Sequence, residues 1–394
     1  MKKFIYLCGM ILLSLNMMAQ IDLNDSTWTN PLHEDFSIPG RTWNSSTFVS
    51  SDDLWRAYPG YNVTDFINHQ VYQFANCHFN DIDETMELVS EYARNQIQDN
   101  QYVLPSWMHN VFPPNDGLFY FSGEIDYVNA ASQEGGAFRY GYFEIRCKLP
   151  QHKGTFPAFW LHSQNTGISD PYYEEIDIFE HTRNLLKSYP YWPGYVPPPI
   201  RDSARVFTTG IYHNLTGASP CFYTESFARN FPLVPNTSSD LSNWHTFSCE
   251  WMPDYVYWYF DGDLVNSYFD KNHIPRHSMT LKTDYAIDGY AIDHSTHLPI
   301  WFDSAEMDIE YIYVYQLKWD CDTDETITSQ SDLDSFKYGV KKSVAITSTV
   351  GEPIIGSTGK ITFRVSDSFE ITGPFQVESG AEFTVIRQDC PNND

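Results

Sequence analysis

Apolar residues recur at every second position through most of this chain and almost nowhere at the three-then-four spacing of a helix. The runs "QVYQF", "TMELVSEYA", "LFYFSGEIDYV", "AFRYGYFEIRCKL", "HTFSCEW", "YVYWYF" and "AEMDIEYIYVYQ" are short and separated by Gly, Pro, Asn and Asp. Alternation puts one face of each segment in the core and the other toward water, which is the pattern of half-buried strands. Strands without intervening helices must cover one another, so the spacing predicts an all-β chain built as a two-sheet sandwich or jelly roll. In "YWYFDGDLV" the pair Asp261-Gly262 marks a hairpin turn. The 27 Tyr, 27 Phe and 11 Trp suit strands and also flat sugar-binding surfaces.

The first residues, MKKFIYLCGMILLSLNMMAQ, pair two lysines with an apolar stretch and a small residue at Ala19. They read as a secretory signal peptide over 1–20, cut near Ala19 or Gln20, because Phe4–Leu15 is shorter than the ~20 residues of a bilayer span. The expected destination is outside the cytoplasm: periplasm, cell surface or medium. A formal charge of −27 argues against nucleic acid and against an anionic membrane surface, and no other apolar run approaches spanning length, so no membrane insertion is expected. Beyond the leader stand Cys77, Cys147, Cys221, Cys249, Cys321 and Cys390, with no CxxC and no zinc spacing. Cys147 and Cys249 fall inside strand patterns and are expected to be buried as small apolar residues.

A large β domain is expected over 21–318. The stretch "DCDTDETITSQSDLD" is acidic and reads as a linker over 319–337, and alternation resumes in a small β module over 338–394. Residues 183–243 look like an elaborated loop region rich in Pro and aromatics.

The segment "EEIDIFEH", 174–181, carries four acids in eight positions of an otherwise apolar run. Burying them unpaired would cost several kcal/mol each, so their presence needs a reason. Residues two apart share a strand face, which aligns Glu175 with Asp177. Glu180 joins that face only if one extra residue is inserted as a β-bulge. Three convergent carboxylates raise one another's pKa, and glycoside hydrolysis exploits that: one attacks, one delivers a proton, one tunes the pair. The preceding "GTFPAFWLH" brings Phe156 and Trp160, aromatic rings that can stack on pyranoses.

With these residues in view, the chain resembles glycoside hydrolase family 16, the jelly-roll endo-glycanases that include laminarinases, lichenases, agarases and κ-carrageenases. "EIDIFE" is similar to the family's bulged E-x-D-x-x-E signature, and "GYFEIRCKLPQHKGTFPAFWLH", "WHTFSCEWMPDYVYWYFDGDLV" and "MDIEYIYVYQ" resemble its flanking strands in order. The resemblance covers roughly residues 30–316. It implies a concanavalin A-like jelly roll and a retaining mechanism with Glu175 as nucleophile, Glu180 as acid/base and Asp177 supporting Glu175. It implies a polysaccharide substrate, a β-1,3- or β-1,3/1,4-glucan, and a monomer that needs no cofactor for catalysis. An algal galactan such as agarose, porphyran or carrageenan is the alternative, with Arg183, Lys187, Arg201 and Arg205 as local cations for sulfate. Transglycosylation by the same residues and a non-catalytic carbohydrate-binding jelly roll are the other readings.

Beside the triad, His181, Tyr191 and Trp192 are expected at the substrate, with Tyr189 and Tyr195 in the same loop. Family members often hold a structural calcium, for which Glu34 or Asp35, and Glu310, stand near the matching places. The C-terminal module resembles short β modules that end exported proteins of Bacteroidetes-type bacteria.

Overall fold

The computed structural model describes residues 28–57, 70–72, 74–92, 120–128, 136–150, 152, 155–163, 174–181, 207–214, 226–232, 240–287, 304–336, 339–348 and 353–391. Two large sheets, of ten and eight strands among these residues, carry most of the chain. The ten-stranded sheet has Gly141–Lys148 at its centre, between His245–Trp251 and the long strand Ser304–Leu317. The eight-stranded sheet runs from Ser226–Pro232 through Thr208–Asn214, Glu174–Glu180, Thr155–Ser163 and Met279–Ile287 to Glu124–Tyr127 and Trp55–Ala57. Pairing within these two sheets is antiparallel apart from one short edge pair, so alternate residues face alternate sides as the sequence predicts.

Inward-facing residues of both sheets form one continuous core. Phe143, Ile145 and Cys147 of one sheet and Phe159, Leu161, Ile176 and Phe179 of the other are all fully buried in it. Phe179 meets Phe247 of the opposing sheet at 4.5 Å between ring centroids. Burying a side chain of this size contributes about 2 kcal/mol, so the inner faces hold the two sheets together. Cys147 and Cys249 are free and buried there, and burial pushes both thiols well above their ordinary pKa. The Asp261-Gly262 turn forms as expected, with positive φ at both residues joining Val256–Phe260 to Asp263–Tyr268.

The segment expected to be a linker is structured. Trp319–Ile327 is a strand, parallel to Val340–Ile346, in a four-stranded parallel sheet completed by Lys360–Ile371 and Glu382–Arg387. A short helix, Gln330–Ser335, follows it and is closed by a capping box between Ser329 and Asp332. The acids of 319–327 hid an alternation in which Trp319, Cys321 and Ile327 share one parity; an edge strand tolerates charge because one side remains in water. Cys321 is disulfide-bonded to Cys390, tying this first strand to the end of the chain.

The C-terminal module also rests against the jelly roll instead of hanging from it. Val340 and Leu317 pack with Trp28, Tyr142, Met252 and Tyr259. Gln388, fully buried, donates to Asp254 at 2.7 Å, and Arg364 lies over the Trp28 ring at 5.5 Å.

Candidate active site on the eight-stranded sheet

The register of Glu174–Glu180 settles how two-then-three spacing is accommodated. Against Thr155–Ser163, His162 pairs with Glu175, Leu161 with Ile176 and Trp160 with Asp177; then one residue is skipped, and Phe159 pairs with Phe179 and Ala158 with Glu180. On the other side Asp177 pairs with Gly210 and Glu180 with Thr208, again with one residue too many on the acidic strand. The extra residue is a β-bulge at Ile178-Phe179.

Its consequence follows from alternation. Phe159 and Leu161 lie in the core, so Ala158, Trp160 and His162 face outward, and so do their partners Glu180, Asp177 and Glu175. Ile176, Ile178 and Phe179 are buried inward. The bulge is itself braced from the core by Trp258, whose Nε1 donates to the Asp177 carbonyl at 2.9 Å.

The fourth acid of the run has a different task. Glu174 is fully buried and accepts backbone N–H bonds from Arg276 and His277 at 2.8–3.1 Å, while its own N–H donates to Ser163 Oγ. It anchors the start of the strand.

Asp177 is almost fully buried, and its pKa is raised well above the usual carboxylate range. Burial is the main cause, followed by the charges of Glu180 and Glu175, a hydrogen bond with Glu175, and the charge of Asp284. These surroundings favour the protonated form of Asp177, which is hydrogen-bonded with Glu175. Glu175 and Glu180 are each partly exposed on either side of it.

Further polar residues on the same face escaped the sequence reading. Lys282 stands directly across from Trp160, and its Nζ bonds Asp126 at 2.9 Å and Glu124 at 3.1 Å. Asp284 accepts from Trp160 Nε1 at 2.8 Å. Burial pushes the Glu124 carboxyl up to about 8, with Lys282 opposing and Asp126 and Asp284 adding to the shift. His162, opposite Glu175, is pushed down to about 4 by burial and by Lys282, so it is neutral at physiological pH. The signal for this group was the one already used for 174–180: "GEIDY" and "LKTDY" place charges two apart in apolar strands.

Of the other expected substrate residues, Phe156 shares the outward face, pairing with Ala286, and is partly exposed. His181 has no exposed surface, and its backbone N–H donates to Pro157. Tyr191 and Trp192 lie outside the described residues, as do Tyr189, Tyr195, Arg183, Lys187, Arg201 and Arg205.

The acids expected to hold calcium are engaged elsewhere. Glu34 is buried against Arg41, Trp55 Nε1 and the Phe36 N–H; Asp35 accepts from Ser37; Glu310 pairs with Arg146. Among the described residues no group of three or more His, Cys, Asp or Glu side chains is placed to hold a metal. These three acids thus meet protein partners, and no step of the chemistry is routed through an ion.

The bulged acidic strand sits inside a stretch that matches a known family model. "Glycosyl hydrolases family 16" covers residues 93–313. The chain belongs to glycosyl hydrolase family 16. Within that family it is similar to the endo-1,3-1,4-beta-glycanase ExsH of Rhizobium meliloti, 28% identical over 205 residues, which are 52% of this chain and 35% of that protein. It is likewise 28% identical over 155 residues to a beta-glucanase of Rhodothermus marinus, covering 38% of this chain and 43% of that one. The chain thus spans less than half the length of these curated relatives. Among solved structures, the catalytic domain of an endo-1,3-beta-glucanase (laminarinase) from Thermotoga petrophila RKU-1 aligns at a TM-score of 0.49 and 20% identity, over 74% of this chain and 99% of that chain.

Proposed function

We propose that this family 16 chain is an exported endo-acting β-glycanase that hydrolyses β-1,3- or β-1,3/1,4-glucan with retention of configuration. The observation that carries the reading is the bulge at Ile178-Phe179, which turns Glu175, Asp177 and Glu180 to one face of one strand. The names of the relatives, an endo-1,3-1,4-beta-glycanase and a beta-glucanase, support the substrate class.

The chemistry divides among the three acids. The Glu175 carboxylate attacks the anomeric carbon while Glu180 gives its proton to the departing glycosidic oxygen, leaving a glycosyl ester on Glu175. Water then attacks the same carbon, Glu180 takes its proton, and the Glu175 carboxylate leaves. Two inversions restore the starting configuration. Asp177, holding a proton between them, donates to Glu175. That bond steadies the nucleophile before attack and the freed carboxylate afterwards.

Trp160 and Phe156, both partly exposed on this face, supply stacking surface for sugar rings. His181, fully buried, is left out of the substrate contacts. Lys282, on the same face, is already bound to Glu124 and Asp126, so it offers no clamp for sulfate.

The test is a panel of laminarin, barley β-glucan, agarose and carrageenan with product sizing. Oligosaccharides released from either glucan, and about 10³-fold or greater loss in Glu175→Gln, are expected. Release from carrageenan or agarose alone would overturn the glucan assignment.

A further inference from the structure

Trp160 is held more tightly than a stacking residue on an open sheet needs to be. It stands between Asp177 on one neighbouring strand and Lys282 on the other, so its indole is the immediate neighbour of the supporting carboxylate. Its Nε1 donates to Asp284 Oδ1 at 2.8 Å. Asp284 lies two residues beyond Lys282 on Met279–Ile287, the diagonal position that a long side chain reaches across an antiparallel pair. Lys282 Nζ sits 5.4 Å from the centroid of the indole, and is itself fixed by Glu124 and Asp126. The edge of His162 meets the same ring at 5.3 Å between centroids. Lys282, Asp284, Glu124 and Asp126 are all buried.

A hydrogen bond to a buried carboxyl oxygen in such surroundings constrains both torsions of the indole. The cation on the ring adds attraction between its charge and the π face. Core packing does not demand this arrangement, since Trp160 faces away from the core and remains partly exposed.

We propose that Asp284 is a positioning residue: it fixes the Trp160 indole beside the catalytic carboxylates as the platform on which a ring of the glycan stacks. This rests on the glycan-hydrolase reading above. Asp284 acts through Trp160, with Lys282 backing the ring. A preset platform spares the substrate the entropy of ordering it, so the effect belongs in binding more than in the chemical step.

Four variants test this in the full chain: W160F, D284A, D284N and the double variant W160F/D284A. In ¹⁵N-labelled protein the Trp160 indole N–H peak, identified by its loss in W160F, should move in D284A and stay near its wild-type position in D284N, whose amide oxygen still accepts. On glucan, D284A and W160F should each raise KM about tenfold with kcat within about twofold, and the double variant should be no worse than W160F. D284N should recover the KM lost in D284A.

An indole peak unmoved in D284A overturns the proposal. So do KM effects that multiply in the double variant, or a peak that moves with KM unchanged and only the melting temperature lowered. Should the wild type cleave no glucan, the substrate reading fails by itself, and the indole peak alone decides whether Asp284 fixes Trp160.

Discussion

The two sheets treat acidic residues on their outer faces in opposite ways. On the ten-stranded sheet several acids meet a donor or a cation. Glu310 pairs with Arg146, Asp308 with Lys148 at 3.0 Å, and Glu144 accepts from the hydroxyls of Tyr142 and Tyr311 at 2.7 and 3.0 Å. Even buried Glu250 receives Tyr255 and Tyr259, with Arg364 of the C-terminal module near enough to oppose the rise that burial causes. On the eight-stranded sheet Lys282 pairs with Glu124 and Asp126, while Glu175, Glu180 and Asp284 crowd Asp177 and raise its pKa. Strand alternation is the same on both faces; only the partners differ. Crowding that raises the pKa of a buried carboxyl, as at Asp177, costs stability and is the arrangement that proton-transfer chemistry uses.

Breaking the crowded face should give the largest effects. Glu175→Gln and Glu180→Gln should each lower kcat by about 10³-fold or more while circular dichroism and melting temperature stay near wild type. Loss of the fold in either variant would mean that these acids are structural, like Glu174.

The C-terminal module sharpens the comparison because it covers part of the compensated sheet. Replacing Cys321 and Cys390 by Ser should cost about 2–4 kcal/mol, read from denaturant unfolding, since the disulfide closes a loop of 69 residues. Activity at 25 °C should persist. No change in midpoint would mean that the parallel sheet holds its first and last strands without the bond.

Asp177→Asn separates stability from activity. The folded state raises the Asp177 pKa, so it favours the protonated form. Stability is then highest below the unfolded value of ~3.9 and falls as pH rises from there toward the folded value. Asn removes that fall. The variant should be more stable than wild type at pH 7, by about 1 kcal/mol, and melt higher, while turning over more slowly. A lower melting point at pH 7 would show that ionised Asp177 stabilises the fold.

The smallest effect should come from the compensated face. Arg146 and Glu310 are each about a third or more exposed, so Glu310→Gln should cost ~1 kcal/mol or less and leave kcat unchanged.

Much of this was legible before any coordinates. Period-two alternation specified sheets, and the spacing of Glu175, Asp177 and Glu180 specified a bulge, because only an inserted residue reconciles a three-residue step with a shared face. What alternation could not show was partnership between distant strands. Whether Glu310 would meet calcium or an arginine depends on Arg146, 164 residues away in sequence. For the same reason Lys282 and Asp284 went unread, although their own strand announced them. The segment 319–327 was misread because acidity masked a parity pattern that needed a parallel neighbour to be recognised.

The central claim is that the bulge assembles a retaining pair from Glu175 and Glu180. Proton NMR during the first minutes of glucan hydrolysis tests it most directly, by the anomer that appears at the new reducing end before mutarotation. The account predicts the β-anomer first, with the α-anomer growing in only as mutarotation proceeds. An α-anomer that appears first would mean single displacement by water, and Glu175 would then be a base instead of the nucleophile.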